Sequence, residues 1–431
     1  MRLLFLATVI NEHHEVTLGV DLAGQVRPAG ILSHFVIHPY NEEQVRTAGH
    51  PYTLVTPGDG ADLVEVVRML ARELRPDAVV LSDYLGHWLS LTYSYEVDPW
   101  FVLDLGIPVL PLDPYELRAE SLELEIMGRS VAVGDQILRM PARLRPVPVA
   151  RPVPATDDGS TFAYRRGGAA APMPAERRAA VRRSLGLGDD DRLLVVPALE
   201  PQAAMADRGG GRTRELAIRL PALLVCYLRT LPESTHVLLP GPRFDAYDEL
   251  PAERTHVRTG HTATEHDEWV RAADGIWASF FPTPALEVAT LAGVPALLTC
   301  NSVATGAAGD LAAARARFGE LGPHAQAWLS DFPFPIDPFT LWPWRWDRVM
   351  APVLTDNPLL ETLLTAEIFD EPAVTTSLRT LLYDPVTRSE LNAARGSYVQ
   401  SLGELPPAAE VVRAAVRRAR AEHDLDRGWS Q

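Results

Sequence analysis

Lysine is absent from this 431-residue chain, so arginine supplies all 40 basic side chains. Three kinds of chemistry need a lysine: the phosphate loop of Walker-type nucleotidases, the Schiff base of pyridoxal enzymes, and the strand lysine of protein kinases. The sequence excludes all three. The arginine bias itself is typical of a GC-rich bacterial genome.

Cysteines and long apolar runs are also scarce. Cys226 and Cys300 lie far apart in apolar stretches, which is typical of buried thiols in a reducing cytoplasm and excludes a structural zinc or iron-sulfur site. No later apolar run approaches the roughly 18 residues of a membrane helix. Polar NEHHE follows the opening MRLLFLATVI without a cleavage site, so this opening predicts a first strand. We therefore expect a soluble, cytoplasmic protein.

Basic residues are also fewer than acidic ones. The 40 basic residues face 56 acidic ones, which gives a net charge of −16 without any long basic run. This balance excludes a nucleic-acid scaffold. Apolar residues make up 47% of the chain, enough for a core in each of two or three domains. The oligomeric state, a homodimer included, stays open.

Strand-like and helix-like runs alternate through the first 140 residues and again after residue 175. Near-continuous apolar strands between helices predict parallel sheets in an α/β fold. Between the two series, the proline-dense run 140–174 predicts an extended connector with neither a helix nor an internal strand. The sequence thus predicts two doubly wound units in tandem, 1–165 with the connector and 166–405, followed by a helix and tail at 406–431.

Ligands bind such sheets at the carboxyl ends of the strands. His13 and His14 follow the first strand, where an imidazole can act as a general base. Asp83 ends the strand AVVLSD at the same edge, and its carboxylate can orient an imidazole. The alternatives are a solvated helix start with incidental histidines and, for Asp83, a helix cap. His87 is a rival base, although a packed histidine fits it better.

The segment 270–302 carries the stronger pattern in the second unit. Prolines break the strand GIWAS, and a helix is predicted to begin near Ala285. The free amides of this helix start can hold a diphosphate while Glu287 binds the two ribose hydroxyls. Alternatively, Glu287 is a favourable acid in a first turn. The predicted diphosphate contacts at the helix start are Thr283, Pro284, Ala285 and Leu286.

These segments together resemble the GT-B glycosyltransferases. The stretch from VRAAD through ASFFPTPALEVATLAGVPALL is similar to their donor-site segment, and MRLLFLATVINEHHEVTLGVDLAG and RPDAVVLSD resemble the histidine loop and aspartate strand of family 1. The resemblance covers nearly the whole chain, by pattern more than by identity. It implies two Rossmann-like domains facing each other across a cleft, with His13 as the base and Asp83 as its partner. It also implies a UDP-sugar or a dTDP-sugar as co-substrate, without a metal or other cofactor.

Two departures from the family pattern concern the proposed site. Glu12 stands where family 1 usually has glycine, and Ser279 begins a run that replaces the usual His-Cys-Gly-type phosphate loop. The predicted contacts to the diphosphate are therefore backbone amides and the side chains of Ser279, Thr283 and Arg212. The last of these lies in DRGGGRTRE, whose glycines are equally typical of a surface turn.

The resemblance also implies contacts to the nucleobase and the acceptor. Gly260 and His261 lie where the family meets the base, unless they form an ordinary turn. The aromatic segment 342–346, with the phenylalanines before it, fits core packing or domain docking better than an acceptor wall. The spacing of His256, His261 and His266 is not a metal-binding pattern. The predicted acceptor contacts are His14, Tyr84, His87 and Trp88.

The expected reaction is transfer of a hexose to a hydroxyl or amine of a small molecule, with inversion, in natural-product or cell-envelope tailoring. Two alternatives stay open. A sugar-nucleotide epimerase of similar architecture would form epimerised product without an acceptor. A non-catalytic auxiliary or binding protein would show no turnover that depends on His13.

Overall fold

The computed structural model divides the chain into two compact units. Unit 1 comprises Met1–Glu123, Ala132–Gly168 and Gln400–Gln431, and unit 2 comprises Leu124–Val131 and Ala169–Val399. The structure describes residues 1–10, 12–58, 60–126, 129–148, 151–152, 159–166, 172–198, 200–339 and 346–428.

The strands and helices are numbered here in chain order. The strands are β1 (Arg2–Ala7), β2 (Leu32–Ile37), β3 (Tyr52–Leu54), β4 (Ala78–Leu81), β5 (Val109–Pro111), β6 (Glu123–Ile126), β7 (Arg129–Ala132), β8 (Arg143–Val147), β9 (Thr161–Arg165), β10 (Arg192–Val195), β11 (Thr235–Pro240), β12 (Thr255–Arg258), β13 (Gly275–Ala278), β14 (Ala296–Cys300) and β15 (Leu364–Glu367). The helices are α1 (His14–Val26), α2 (Glu42–Thr47), α3 (Gly60–Leu74), α4 (Tyr84–Tyr93), α5 (Ala175–Ser184), α6 (Glu200–Arg208), α7 (Gly211–Leu228), α8 (Ala263–Ala272), α9 (Pro284–Ala292), α10 (Ala312–Phe318), α11 (Pro323–Asp331), α12 (Asp347–Leu354), α13 (Pro358–Glu361), α14 (Glu371–Tyr383), α15 (Pro385–Leu402) and α16 (Ala408–Gly428).

Unit 1 is built on a parallel five-stranded sheet in the order β3-β2-β1-β4-β5. Every residue of β4 (AVVL) is buried, which requires cover on both faces of the sheet. β1 lies between β2 and β4, so the residues that follow these three strands emerge at one edge. That edge carries the predicted histidine loop.

The connector contains two strands that the sequence did not indicate. β8 and β9 pair in parallel within it, and a bridge between Leu112 and Leu144 joins β8 to the end of β5. The two strands form a two-stranded sheet in which each is an edge strand, so β8 tolerates Pro146. Tyr164 of β9 is fully buried in the core of unit 1. Burial of such side chains makes this segment part of the domain.

The C-terminal helix α16 belongs to unit 1, although the sequence suggests a separate segment at 406–431. Val412, Ala415, Val416 and Ala419 recur at helical spacing and lie in the core of unit 1. Arg413 donates a hydrogen bond of 2.8 Å to the carbonyl of Ala29. One apolar face of α16 therefore completes this core.

Unit 2 contains a parallel six-stranded sheet in the order β12-β11-β10-β13-β14-β15. Its core includes Trp277 of β13 and Tyr227 of α7, both fully buried. The Tyr227 hydroxyl donates to the carbonyl of Ile368 at 2.9 Å, which ties α7 to the end of β15. Among the helices of the described chain, none is both long enough and apolar enough to span a bilayer.

Candidate functional site

His13 lies at the N-cap position of α1, at the carboxyl edge of the unit 1 sheet, and its side chain is exposed. Its Nδ1 is 2.7 Å from Oδ1 of Asn41. Its ring stacks on Tyr40 with a centroid separation of 4.6 Å and an angle of 19° between the planes. Asn41, and not Asp83, is therefore the hydrogen-bond partner of this imidazole.

Asp83 is buried and caps α4. Its Oδ1 accepts from the amides of Leu85 at 2.9 Å and Gly86 at 3.1 Å. Its Oδ2 accepts from the Tyr115 hydroxyl at 2.7 Å. A carboxylate at the end of a strand is within reach of the amides of the next helix, and here they satisfy it locally. This geometry is the helix-cap alternative, and the described contacts of Asp83 do not include His13.

Three buried or partly buried carboxyl groups gather behind the histidine loop. Burial raises the pKa of Asp83 to about 6 and that of Glu12 to about 7, and it raises the pKa of Glu15 well above its usual value. The charge of Asp83 adds to the increase for Glu12 and Glu15, and the charge of Asp113 adds to the increase for Asp83. Glu15 accepts from the amide of Val9 at 2.7 Å, and Glu12 accepts from the amide of His14. The sequence marks Glu12 and Glu15 only as acids at a helix start, and their link to Asp83 requires the fold.

The predicted acceptor contacts point largely into unit 1, which runs against their expected role. His87 is fully buried, its Nε2 lies 3.0 Å from the carbonyl of Pro99, and burial lowers its pKa to about 4. It is thus a neutral core histidine. Tyr84 is also fully buried, and Trp88 is 6% exposed. Burial lowers the pKa of the partly buried His14 to about 3. The first turn of α4 is apolar apart from these groups, so the fold turns it inward.

The predicted helix start in the donor segment is present as α9. Thr283 caps it, and its Oγ1 accepts from the amide of Ala285 at 3.4 Å. Pro284, which has no amide hydrogen, occupies the first turn, and the amide of Leu286 donates to the Thr283 carbonyl at 3.1 Å. Ser279 is half-buried just after β13. The positive end of α9 and two hydroxyl groups therefore lie at the carboxyl edge of the unit 2 sheet.

Glu287 lies in the first turn of α9 and is 5% exposed. Burial raises the pKa of Tyr398, and the charge of Glu287 raises it further, so the two side chains are close to each other inside unit 2. This burial favours the interpretation of Glu287 as a first-turn acid. Binding of ribose hydroxyls by Glu287 stays a prediction that requires access to its carboxylate.

Gly260 and His261 follow β12 at the same edge of the sheet. Gly260 is exposed and has a φ of +65°, a conformation that favours glycine. His261 is half-buried, with Nδ1 3.3 Å from the Arg258 carbonyl and its ring against His266 and Trp269. These two residues form a turn, and contact with a nucleobase stays a prediction.

Arg212 is placed by the turn between α6 and α7. The sequence did not indicate α6, which occupies the loop after β10. A Cβ at Gly209 would lie 2.3 Å from the carbonyl oxygen of Met205, so this turn needs glycine for close approach. Arg212 pairs with Asp337, with its guanidinium nitrogen 3.0 Å from Oδ2. The glycines thus form a tight, ordered turn between two helices, and contact of Arg212 with a diphosphate stays a prediction.

The remaining candidates from the sequence belong to the core or fall outside the described residues. Phe332 and Phe339 are buried in the unit 2 core, and Phe334 packs against it. Residues 340–345, which hold most of the aromatic segment, lie outside the described part. Within that part, no group of three or more His, Cys, Asp or Glu side chains is arranged to hold a metal ion.

The two parallel sheets in tandem match the GT-B architecture, which solved glycosyltransferases similar to this chain share. The spinosyn forosaminyltransferase SpnP is 16% identical, with a TM-score of 0.55 over 97% of this chain and 99% of that one. SnogD from Streptomyces nogalater is 19% identical, with a TM-score of 0.54 over 97% and 99%. VinC in complex with dTDP is 14% identical, with a TM-score of 0.53 over 98% and 100%.

The chain belongs to a family of unknown function, DUF6365, whose profile matches residues 22–422. No curated protein matches the sequence.

Proposed function

We propose that this protein transfers a sugar from a nucleoside-diphosphate sugar to a small-molecule acceptor. The observation that carries the proposal is His13, an exposed imidazole at the carboxyl edge of a Rossmann-like sheet, held through Nδ1 by a buried side chain. Such an imidazole has its Nε2 available to take a proton from an acceptor hydroxyl or amine. The GT-B fold and the dTDP bound to VinC support a nucleotide-sugar donor, with UDP or dTDP as the nucleotide.

In the proposed reaction the acceptor oxygen or nitrogen forms a bond to the anomeric carbon while the bond from that carbon to the diphosphate breaks. The acceptor proton passes to His13, and the nucleoside diphosphate leaves with the bonding electron pair. One direct displacement inverts the anomeric configuration.

The leaving diphosphate needs compensation for its charge. The positive end of α9, together with the hydroxyls of Ser279 and Thr283, supports this role at the carboxyl edge of unit 2. Each oriented donor is worth about 3 kcal/mol in the transition state. Arg212 would join them by exchanging its carboxylate partner Asp337 for a phosphate oxygen. Gly260 and His261 would meet the base, and Glu287 the ribose. No metal or further cofactor enters this scheme.

The natural setting is proposed to be the cytoplasm of a bacterium and a tailoring pathway for a natural product. Two free cysteines support a reducing compartment. The spinosyn transferase among the similar structures supports the class of pathway.

The test is transfer by the purified protein, with UDP- and dTDP-hexoses as donors and a panel of hydroxylated aglycones as acceptors. His13→Gln is expected to lower transfer by about 100-fold or more, because a general base is lost, while it leaves nucleotide binding unchanged. His324→Gln is the matched control, because this histidine pairs with Glu371 in unit 2. Full transfer by His13→Gln would refute the assigned base.

A non-catalytic nucleotide-binding protein is the second candidate, and the engagement of Asp83 by Tyr115 instead of His13 favours it. It predicts stabilisation by a nucleoside diphosphate without transfer to any acceptor and without any effect of His13→Gln.

A further inference from the structure

Asn41 is fully buried beside the histidine loop and has both ends of its amide engaged. Its Nδ2 donates a hydrogen bond of 3.1 Å to the carbonyl of Val9, in the loop that follows β1. This contact fixes the orientation of the amide, since a flipped amide would place two oxygens against each other. Oδ1 therefore faces Nδ1 of His13, at 2.7 Å.

An amide oxygen accepts hydrogen bonds and cannot donate them. The short contact to Asn41 thus requires the proton of neutral His13 to lie on Nδ1. The lone pair is then on Nε2, and none of the described hydrogen bonds involves that atom. Stacking on Tyr40 restricts rotation of the ring.

We propose that Asn41, and not Asp83, is the positioning residue that sets the tautomer and direction of the His13 imidazole. This inference rests on the proposed function for its catalytic meaning. In place of the carboxylate expected from the sequence, a neutral amide holds the ring. The amide selects the tautomer but offers no negative charge to the imidazolium that forms when His13 accepts a proton.

The backbone explains why Asn41 can take this role. β2 pairs with β1 along its whole length, from Arg2 opposite Leu32 to Ala7 opposite Ile37. The short turn after β2 therefore emerges next to the loop after β1. Asp83 follows β4 on the other side of β1, where α4 and Tyr115 already occupy both carboxylate oxygens.

The direct test is a long-range ¹H–¹⁵N correlation spectrum of the full chain labelled with ¹⁵N-histidine, with the His13 signals identified by their loss in His13→Gln. The expected result is that the neutral form of the His13 ring carries its proton on Nδ1. His87 is an internal reference of opposite tautomer, because its Nε2 faces the Pro99 carbonyl at 3.0 Å. A His13 ring with the proton on Nε2 would overturn the inference without any activity measurement.

Two variants add the functional readout. Asn41→Ala is expected to abolish the tautomer preference and to lower kcat by about 100-fold with little change in the donor KM, since binding in unit 2 is not altered. Asn41→Asp keeps an acceptor next to Nδ1 and should restore the tautomer and much of kcat. An unchanged kcat in both variants would overturn the positioning role.

The outcomes separate this inference from the proposed function. Absence of transfer by the wild-type protein, combined with the predicted tautomer, contradicts the proposed transferase and supports the assigned hydrogen bond. Transfer that depends on His13 but not on Asn41 supports the transferase and refutes the role of Asn41. If Asn41→Ala fails to fold, the wild-type spectrum and Asn41→Asp still decide the question.

Discussion

At the scale of residues, the polar groups around β1 pair differently from the sequence prediction. His13 follows β1 and Asp83 follows β4, and both lie at the edge where the sequence predicted them. Asn41, which follows β2 at the same edge, was not among the predicted site residues. Which strand-end side chains meet depends on the turns that carry them, and one sequence does not specify those turns. The only signal in the sequence is a polar residue, Asn41, shortly after the end of β2.

The carboxyl group of Glu15 gives a prediction for stability. Its pKa in the folded state lies well above the unfolded value of about 4.3, so folding becomes less favourable as the pH rises from about 4 through the folded pKa. Glu15→Gln replaces the carboxyl group by a neutral amide and so removes this loss of stability at high pH. We expect the melting temperature of the variant, relative to wild type, to be higher at pH 8 than at pH 5. Glu390→Gln, at an exposed position of α15, serves as the control. An equal difference at both pH values would contradict the account.

At the scale of elements, the sequence predicted best those segments whose apolar residues recur with the spacing of a helix or of a strand. It predicted a helix start near Ala285, and α9 begins at Pro284. It missed α6, which is short and polar, and β8, which contains a proline. Both depend on packing against neighbours rather than on local pattern. The burial of Glu287 was equally out of reach, because it depends on Tyr398, more than a hundred residues away in the chain.

The cap of α9 gives a prediction at this scale. Thr283→Ala removes the oxygen that accepts from the Ala285 amide and one of the proposed diphosphate contacts. We expect a loss of about 1 kcal/mol in stability, and a smaller rise in melting temperature on adding nucleoside diphosphate than wild type shows. Thr283→Ser keeps the hydroxyl and should behave as wild type. If nucleotide stabilises Thr283→Ala as strongly as wild type, the start of α9 is not the diphosphate site.

At the scale of the whole molecule, the sequence predicted two doubly wound units. It did not predict that the chain returns to unit 1 at its end. An amphipathic helix can cover any apolar surface, so its pattern alone does not identify the surface that it covers. In the structure, α16 packs into the core of unit 1 and contacts β9, within the connector that the sequence treated as extended.

The return of α16 predicts that a change near the C-terminus destabilises the N-terminal unit. Val412 is fully buried in the unit 1 core, so Val412→Asp places a charge there without a partner. We expect a loss of about 3 kcal/mol or more in stability, measured by urea unfolding. Arg417→Gln, on the exposed side of the same helix, should change stability by less than about 0.5 kcal/mol. Equal stabilities for the two variants would show that unit 1 does not depend on α16.

Nucleoside-diphosphate binding is the step on which the proposed transferase depends, and thermal unfolding in the presence of four nucleotides tests it most directly. Uridine, thymidine, guanosine and adenosine diphosphates are compared at equal concentration. The account predicts that UDP or dTDP raises the melting temperature, by an amount that corresponds to about 2.7 kcal/mol when the concentration is 100 times Kd. An unchanged melting temperature with all four nucleotides would contradict it.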